Sequence, residues 1–257
     1  MKCIFLVTAK RLKQALIIFT AILLGTGMIY SERDTLTVFA QNSKDKGPQA
    51  IYKVDTKDKK IALTFDISWG EARPGPILDI LKEKKLNNKV TIFLSSPWSQ
   101  RHPEIVKRIV EEGYEIGSHG HKHDFYSKYT DEEIRNQIGK AHNILTELTK
   151  QKPNLIRLPN GDFDKRVLQI AGEMGYTVIQ WDTDSKDWLN PGADQIVKNV
   201  LSKVHPGDII LMHASDSCKQ THIALPVIID KLRAEGYEFV TVSELIAGSQ
   251  VKTQEIN

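Results

Sequence analysis

The chain of 257 residues carries 35 basic and 32 acidic side chains, a net charge of +3, and 40% of its residues are hydrophobic. This composition excludes a disordered protein, and a near balance of charge gives no sign of the clustered basic stripe that nucleic acid requires. The cysteines Cys3 and Cys218 lie far apart, and Cys3 falls in a basic leader. We therefore expect no disulfide and a fold that is stabilised by burial.

The first 30 residues have the pattern of a membrane-targeting segment. Basic residues up to Lys13 precede an uncharged run at 14–30, and its 17 residues are about the shortest span that crosses a bilayer as a helix. The basic side stays in the cytoplasm, which leaves the rest of the chain outside. We predict an uncleaved single-pass anchor at the cell membrane. The alternative is secretion after signal cleavage, for which 38–40 is the nearest cleavage-like site.

Polar segments flank the central part of the chain. Residues 31–54 are predicted to be a linker that holds a domain away from the membrane, and 248–257 a frayed tail. The folded domain is therefore expected at 55–247.

Within that domain, short apolar strands alternate with amphipathic helices. A capping box of Thr130 and Glu133 opens the longest helix, whose apolar positions recur at helical spacing from Ile134 to Leu148. The alternation predicts parallel strands with right-handed crossovers, and about seven units favour a barrel over a small open sheet. The predicted strands are 61–65, 90–94, 114–117, 155–156, 177–179 and 208–211, and the other predicted helices are 76–84, 103–112, 165–174, 194–204 and 225–235.

Five polar clusters each follow a predicted strand directly. In a parallel α/β fold the chemistry lies at the C-terminal ends of the strands, so the five clusters are expected on one rim. They are Asp66; His119 with His121 and His123; Arg157 with Pro159; Asp187 with Trp188; and His213.

Each cluster has a chemical and a structural interpretation. The histidines of residues 119–123 can supply neutral imidazole ligands for zinc or a similar ion, or form an ordinary solvated loop. Asp66 is either functional or caps the next turn. Arg157 either orients a functional carboxylate through two parallel hydrogen bonds or forms an ordinary salt bridge at the rim. Trp188 offers an apolar platform or packs in the core. His213 has the position of a proton-transfer group, although a lone histidine there is more often structural.

In order and spacing these clusters resemble the five motifs of the polysaccharide deacetylase (NodB-homology) family. The resemblance spans about residues 55–247. The string Phe65-Asp-Ile-Ser-Trp-Gly70, together with the N-terminal anchor, is similar to the sporulation-associated branch of that family. The matching motifs are Thr64-Phe65-Asp66, His119-x-x-x-His123, Arg157-x-Pro159-x-Gly161, Asp187-Trp188 and Leu211-x-His213.

The resemblance implies a distorted (β/α) barrel and a metal-dependent hydrolase. Members of the family remove acetyl groups from N-acetylated sugars in peptidoglycan or chitin-like polymers, so the implied partner is a cell-wall polysaccharide. His119 and His123 would bind the divalent metal, for which zinc is the first choice.

The resemblance also implies a role for each remaining motif residue. Asp66 would be the general base that takes a proton from water, and Arg157 would orient it. His213 would be the general acid that protonates the leaving amine, with its pKa tuned by Asp187. The pocket for the acetyl methyl group would be formed by Trp188, Leu211 and Pro159.

The sequence departs from the family pattern at Ile67. The usual first motif is T-F-D-D-G, whose second aspartate is the third metal ligand, and isoleucine coordinates nothing. Two neutral imidazoles hold a divalent ion less tightly than a set that includes a carboxylate. Asp66 could turn to the metal, or His121 or water could complete the coordination sphere. Otherwise the chain is a catalytically impaired, membrane-tethered glycan-binding protein. We favour catalysis.

Overall fold

A computed structural model describes residues 48–247 and the backbone of 250–254. Its strands form one curled sheet in the order β10-β1-β6-β5-β4-β3-β2-β8-β7, with β9 paired to β2. All of these pairs are parallel except β1 with β10. The strands are β1 Ala50–Asp55, β2 Lys60–Ile67, β3 Val90–Leu94, β4 Glu115–Ser118, β5 Leu155–Ile156, β6 Thr177–Ile179, β7 Thr183–Asp184, β8 Ile209–His213, β9 Glu238–Phe239 and β10 Gln250–Gln254.

Helices follow most of the parallel strands, as the alternating pattern predicts. In α4 the capping box is present: the Thr130 hydroxyl accepts from the Glu133 amide at 3.3 Å, and the Glu133 carboxylate accepts from the Thr130 amide at 2.8 Å. The helices are α1 Pro74–Glu83, α2 Ser96–Arg101, α3 Pro103–Glu111, α4 Asp131–Thr149, α5 Lys165–Glu173, α6 Ala193–Leu201, α7 Thr221–Ala234 and α8 Val242–Ala247.

The sheet curls until β1 meets the residues that precede β8. The Val54 amide donates to the Gly207 carbonyl at 2.8 Å, and Lys53 bridges to Asp208. The Lys53 ammonium lies 2.6 Å from the Asp182 carboxylate across the same seam. The predicted α/β barrel is thus confirmed as a parallel, curled half-barrel.

Side chains of β2 alternate between two environments. Odd-numbered positions from Ile61 to Ile67 join the larger apolar cluster, which includes residues of α1, α3 and α7. Ala62 joins a second cluster with residues of α8, and Thr64 and Asp66 bond Arg157. Because strand side chains alternate, Asp66 and Ile67 lie on opposite faces of the sheet.

Two predicted boundaries are wrong. Residues 50–54 belong to β1 and not to the linker, and 250–254 form β10 within the predicted tail. These two strands pair with each other across some 200 residues of sequence, a long-range contact that local composition does not reveal. The predicted membrane anchor lies outside the described residues. In the region that is described, we find no helix with the length and apolar character needed to cross a bilayer.

Candidate active site

The strand register places Asp66 and His213 side by side. These residues are partners in the parallel pairing of β2 with β8, and each lies at or next to the end of its strand. The Asp66 carbonyl also accepts a hydrogen bond from the Ala214 amide at 3.1 Å. The predicted base and acid therefore meet at one rim, although 147 positions separate them in sequence.

Arg157 holds Asp66 from inside the curled sheet. One guanidinium nitrogen donates to Asp66 Oδ1 at 2.9 Å and to Thr64 Oγ1 at 2.8 Å. The guanidinium is stacked on the Phe93 ring, 4.3 Å from its centroid, and Arg157 has no exposed surface. Burial raises the pKa of Asp66, but the attraction of Arg157, with His119 and His213, outweighs it and leaves that pKa below its usual range. Asp66 is therefore a carboxylate.

His119 presents a free nitrogen to the Asp66 carboxylate. Its Nδ1–H donates to the Arg157 carbonyl at 2.8 Å, so Nε2 keeps its lone pair, and this atom lies 3.9 Å from Asp66 Oδ2. Burial lowers the pKa of His119 to about 4, despite the opposing effect of Asp66. The His123 ring lies edge-on to it at a centroid distance of 5.3 Å, and burial lowers the pKa of His123 as well. Both imidazoles are neutral near pH 7, as metal ligands must be.

These donors fit a divalent ion in chemistry but are sparse in number. His119 Nε2 and Asp66 Oδ2 are 3.9 Å apart. Two ligands on opposite sides of one zinc ion are roughly 4.2 Å apart, so both atoms are close enough to bind the same ion. Ile67 supplies nothing, because its side chain is fully buried in the larger apolar cluster. In the described part of the chain, the groups with three donors mutually within 4.8 Å are Asp187/His213/Cys218 and Asp182/His205/Asp208. The histidine site thus offers two imidazoles and Asp66, without the carboxylate implied for position 67.

Asp187 fixes the imidazole of His213. The His213 Nδ1–H donates to Asp187 Oδ1 at 2.7 Å, and the His213 amide and the Thr221 hydroxyl donate to Oδ2 at 2.8 and 2.7 Å. Burial lowers the pKa of His213, but the Asp187 carboxylate outweighs it and raises that pKa above its usual value. His213 therefore carries a proton more readily than a free imidazole, which suits a general acid.

We expect Asp187→Asn to lower the pKa of His213 below that of a free imidazole. The amide keeps the shape of the side chain but removes the charge that offsets burial. Titration of the His213 ring by NMR measures this. The His205 ring, which bonds Asp182, should titrate as in the unaltered chain. An unchanged His213 titration would mean that Asp187 only positions the ring.

The remaining predicted site residues have different surroundings. Leu211 is buried at the inner face of β8, and Pro159 is buried in the turn after β5. Trp188 is half exposed, with its indole nitrogen 3.4 Å from Asp184. The His121 ring bonds the Ser96 hydroxyl at 2.9 Å.

Sequence reasoning missed two neighbours of the His213–Asp187 pair. Thr221 donates to Asp187 from the start of α7, and Cys218 brings its sulfur within 4.8 Å of donor atoms of both residues. Burial raises the pKa of the Cys218 thiol to about 12, so the thiol stays protonated at neutral pH and is not a nucleophile there. Neither residue belongs to a motif: Cys218 lies in the loop between β8 and α7, and Thr221 is the first residue of α7, so only the fold connects them to the site.

Comparison with known proteins connects the chain with one family. The polysaccharide deacetylase family model matches residues 53–179. A peptidoglycan-N-acetylglucosamine deacetylase of Bacillus cereus is 36% identical over 198 residues, which are 76% of this chain and 92% of that protein.

Solved structures give the same picture. A peptidoglycan N-acetylglucosamine deacetylase, solved with an N-hydroxybenzamide compound, is 34% identical at a TM-score of 0.72, over 78% of this chain and 94% of that one. A carbohydrate esterase family 4 pseudoenzyme of Bacillus anthracis is 32% identical at a TM-score of 0.74, over 82% and 73% of the two chains. A mutant of that pseudoenzyme has restored enzymatic activity.

The half-barrel, with carboxylates and histidines at its rim, places the chain in the class of hydrolases that act on amide bonds of carbohydrates. The chain belongs to the polysaccharide deacetylase family, which also contains pseudoenzymes.

Proposed function

We propose that the chain is a metal-dependent hydrolase that removes N-acetyl groups from cell-wall polysaccharide, either peptidoglycan or a chitin-like glycan. The observation that carries this proposal is the pairing of Asp66 with His213. The two are register partners on adjacent strands, yet Arg157 keeps the first ionised and Asp187 favours the protonated form of the second. Neighbouring groups held in opposite protonation states are the signature of an acid–base pair.

The residues divide the reaction between them. Asp66 accepts a proton from the attacking water, and Arg157 keeps this carboxylate oriented through Oδ1, which leaves Oδ2 free. His213 donates a proton to the departing amine as the amide bond breaks. When bound by His119 and His123, a divalent ion supplies Lewis acidity to the amide carbonyl and acidifies water.

The proposal extends to location and timing. The basic leader and the apolar run at 14–30 support a membrane-anchored, extracytoplasmic protein. The string that begins at Phe65 supports a role in sporulation through its likeness to that branch of the family. The peptidoglycan deacetylase of Bacillus cereus supports a cell-wall substrate.

Removal of the base should abolish turnover. We expect Asp66→Asn to reduce acetate release from peptidoglycan or chito-oligomers by about 10²- to 10⁴-fold, because general-base catalysis typically contributes this factor. A chelator should suppress the unaltered chain to a similar degree. Asp182→Asn, which changes a carboxylate at the seam near the start of β8, away from the end that carries His213, should keep its activity. Wild-type rates in Asp66→Asn would refute the proposed reaction.

The second candidate function is a catalytically impaired glycan-binding protein. It is favoured by the buried isoleucine at position 67 and by the likeness to the Bacillus anthracis pseudoenzyme. Such a protein would be retained on insoluble peptidoglycan but would release no acetate at any zinc concentration. Measured turnover by the full chain would exclude it.

A further inference from the structure

Exposed aromatic side chains concentrate at the rim that carries the candidate active site. Trp69 is 66% exposed, and Trp188 and Phe125 are about half exposed. They lie in the loops that follow β2, β7 and β4 respectively. An indole in water forgoes the burial that makes tryptophan favourable in a core, so this placement points to contact with a ligand. The other large exposed hydrophobic residues in the described part of the chain are Leu189, Ile223 and Val227.

The backbone at Trp69 is fixed by the loop between β8 and α7. The Trp69 carbonyl accepts a hydrogen bond from the Asp216 amide at 2.9 Å. One residue earlier, the Ser68 amide donates to the Ser215 hydroxyl at 3.1 Å. The exposed indole therefore stands on a backbone with little freedom.

Asp216 also fixes the turn that follows Trp69. Its carboxylate accepts the backbone N–H groups of Glu71, Ala72 and Arg73 at 3.1, 3.2 and 2.8 Å. Glycine is required at Gly70, where φ is +74° and an added Cβ would lie 2.1 Å from the carboxyl carbon of Asp216. Since the loop is already ordered, a ligand that packs on the indole immobilises little else.

This rigid loop adjoins the reacting groups. Trp69 follows Asp66 by three residues, and the loop that holds it follows His213. On its other side the same β8–α7 loop is bonded to the Trp188 loop, since the Asn190 side-chain amide donates to one of its carbonyls at 2.9 Å. The loops that carry Trp69 and Trp188 thus lie on either side of the β8–α7 loop, which begins directly after His213.

We propose that Trp69 is a stacking platform for a pyranose ring of the glycan strand, adjacent to the sugar whose acetamide faces Asp66 and His213. The apolar C–H face of a pyranose matches a flat indole, and a single rigid ring suits one sugar better than a protein partner, which needs a broader buried patch. The inference rests on the proposed function in one respect, that the ligand of the rim is a glycan. Stacking on Trp69 would make the chain bind the polymer more tightly than short fragments.

The test compares ligands of different length by calorimetry on the full chain. We expect Trp69→Ala to weaken the binding of chitohexaose by about tenfold and that of the single sugar N-acetylglucosamine by less than about twofold, because one sugar held at Asp66 and His213 does not reach the platform. Trp69→Phe should keep most of the affinity for chitohexaose. Val227→Ala, which shortens an exposed apolar side chain on α7, is the matched control and should bind both ligands normally.

Four results would overturn the platform. In three of them Trp69→Ala binds chitohexaose as tightly as the unaltered chain, loses both ligands equally, or loses binding to anionic vesicles instead of glycan, which would indicate a membrane contact. The fourth is failure of the unaltered chain to bind chitohexaose. Binding can be measured without turnover. A length-dependent loss of glycan affinity in Trp69→Ala, without any acetate release by the unaltered chain, would refute the proposed hydrolase activity but would support the stacking platform.

Discussion

Replacement of Arg157 by methionine should destabilise the fold by about 3–5 kcal/mol near pH 7, because it leaves a buried carboxylate without its partner. Asp66 is 4% exposed and its charge is balanced by the guanidinium. The Gln180 carbonyl, which accepts from the second guanidinium nitrogen at 3.0 Å, also loses its donor. Urea unfolding of the full chain measures the loss. Arg135→Met, which removes an exposed ion pair with Glu173, is the control and should cost less than about 1 kcal/mol.

The penalty for Arg157→Met should depend on pH. In the unaltered chain the pKa of Asp66 is lowered, so this group contributes stability above its unfolded pKa, and the contribution is lost as pH falls through the folded value. Without Arg157, burial dominates and the folded state prefers the protonated acid. The variant should therefore recover part of its deficit at acidic pH, and Asp66→Asn combined with Arg157→Met should cost less than the two changes added together. A penalty no larger than that of Arg135→Met, at any pH, would contradict the buried ion pair.

Ile67→Asp should tighten zinc binding by up to about 100-fold, because a carboxylate at the last residue of β2 gains by leaving the larger apolar cluster and turning towards His119 and His123. The same change should lower the stability of the metal-free chain, because the Ile67 side chain is fully buried in the larger apolar cluster. Zinc should then raise the melting temperature of the variant more than that of the unaltered chain. Both quantities can be measured by calorimetry on the purified protein, together with acetate release.

Controls separate coordination from packing at position 67. Ile67→Asn has the shape of the aspartate variant without its charge and should gain much less zinc affinity, and Ile67→Val should bind zinc as the unaltered chain does. A loss of stability in Ile67→Asp that zinc does not reverse would show that this position faces the core only. In that case the third-ligand role implied by the family pattern would not apply to this chain.

Features that arise from interactions between residues close in sequence can be predicted, and those that arise from distant residues cannot. The capping box at Thr130 and the strand predicted at 61–65, directly before Asp66, follow from the sequence because their signals are local. The short strands β7 and β9 and the six-residue helices α2 and α8 were missed, since none is long enough to show a period. The helix α7 begins four residues before its predicted start at 225, where Pro226 obscures the helical pattern of its first turns.

The fold class and the residues of the rim can be predicted from the sequence, because alternating strands and helices bring the residues after each strand to one end of the sheet. The motifs at that end indicate the family and show that Ile67 departs from its pattern. The charge states follow only from the fold, since they depend on burial and on partners distant in the chain: Arg157 for Asp66, and Asp187 for His213. The structure likewise revealed that Asp216 holds the Trp69 loop, because a hydrogen bond between residues some 145 positions apart leaves no periodic trace in the sequence.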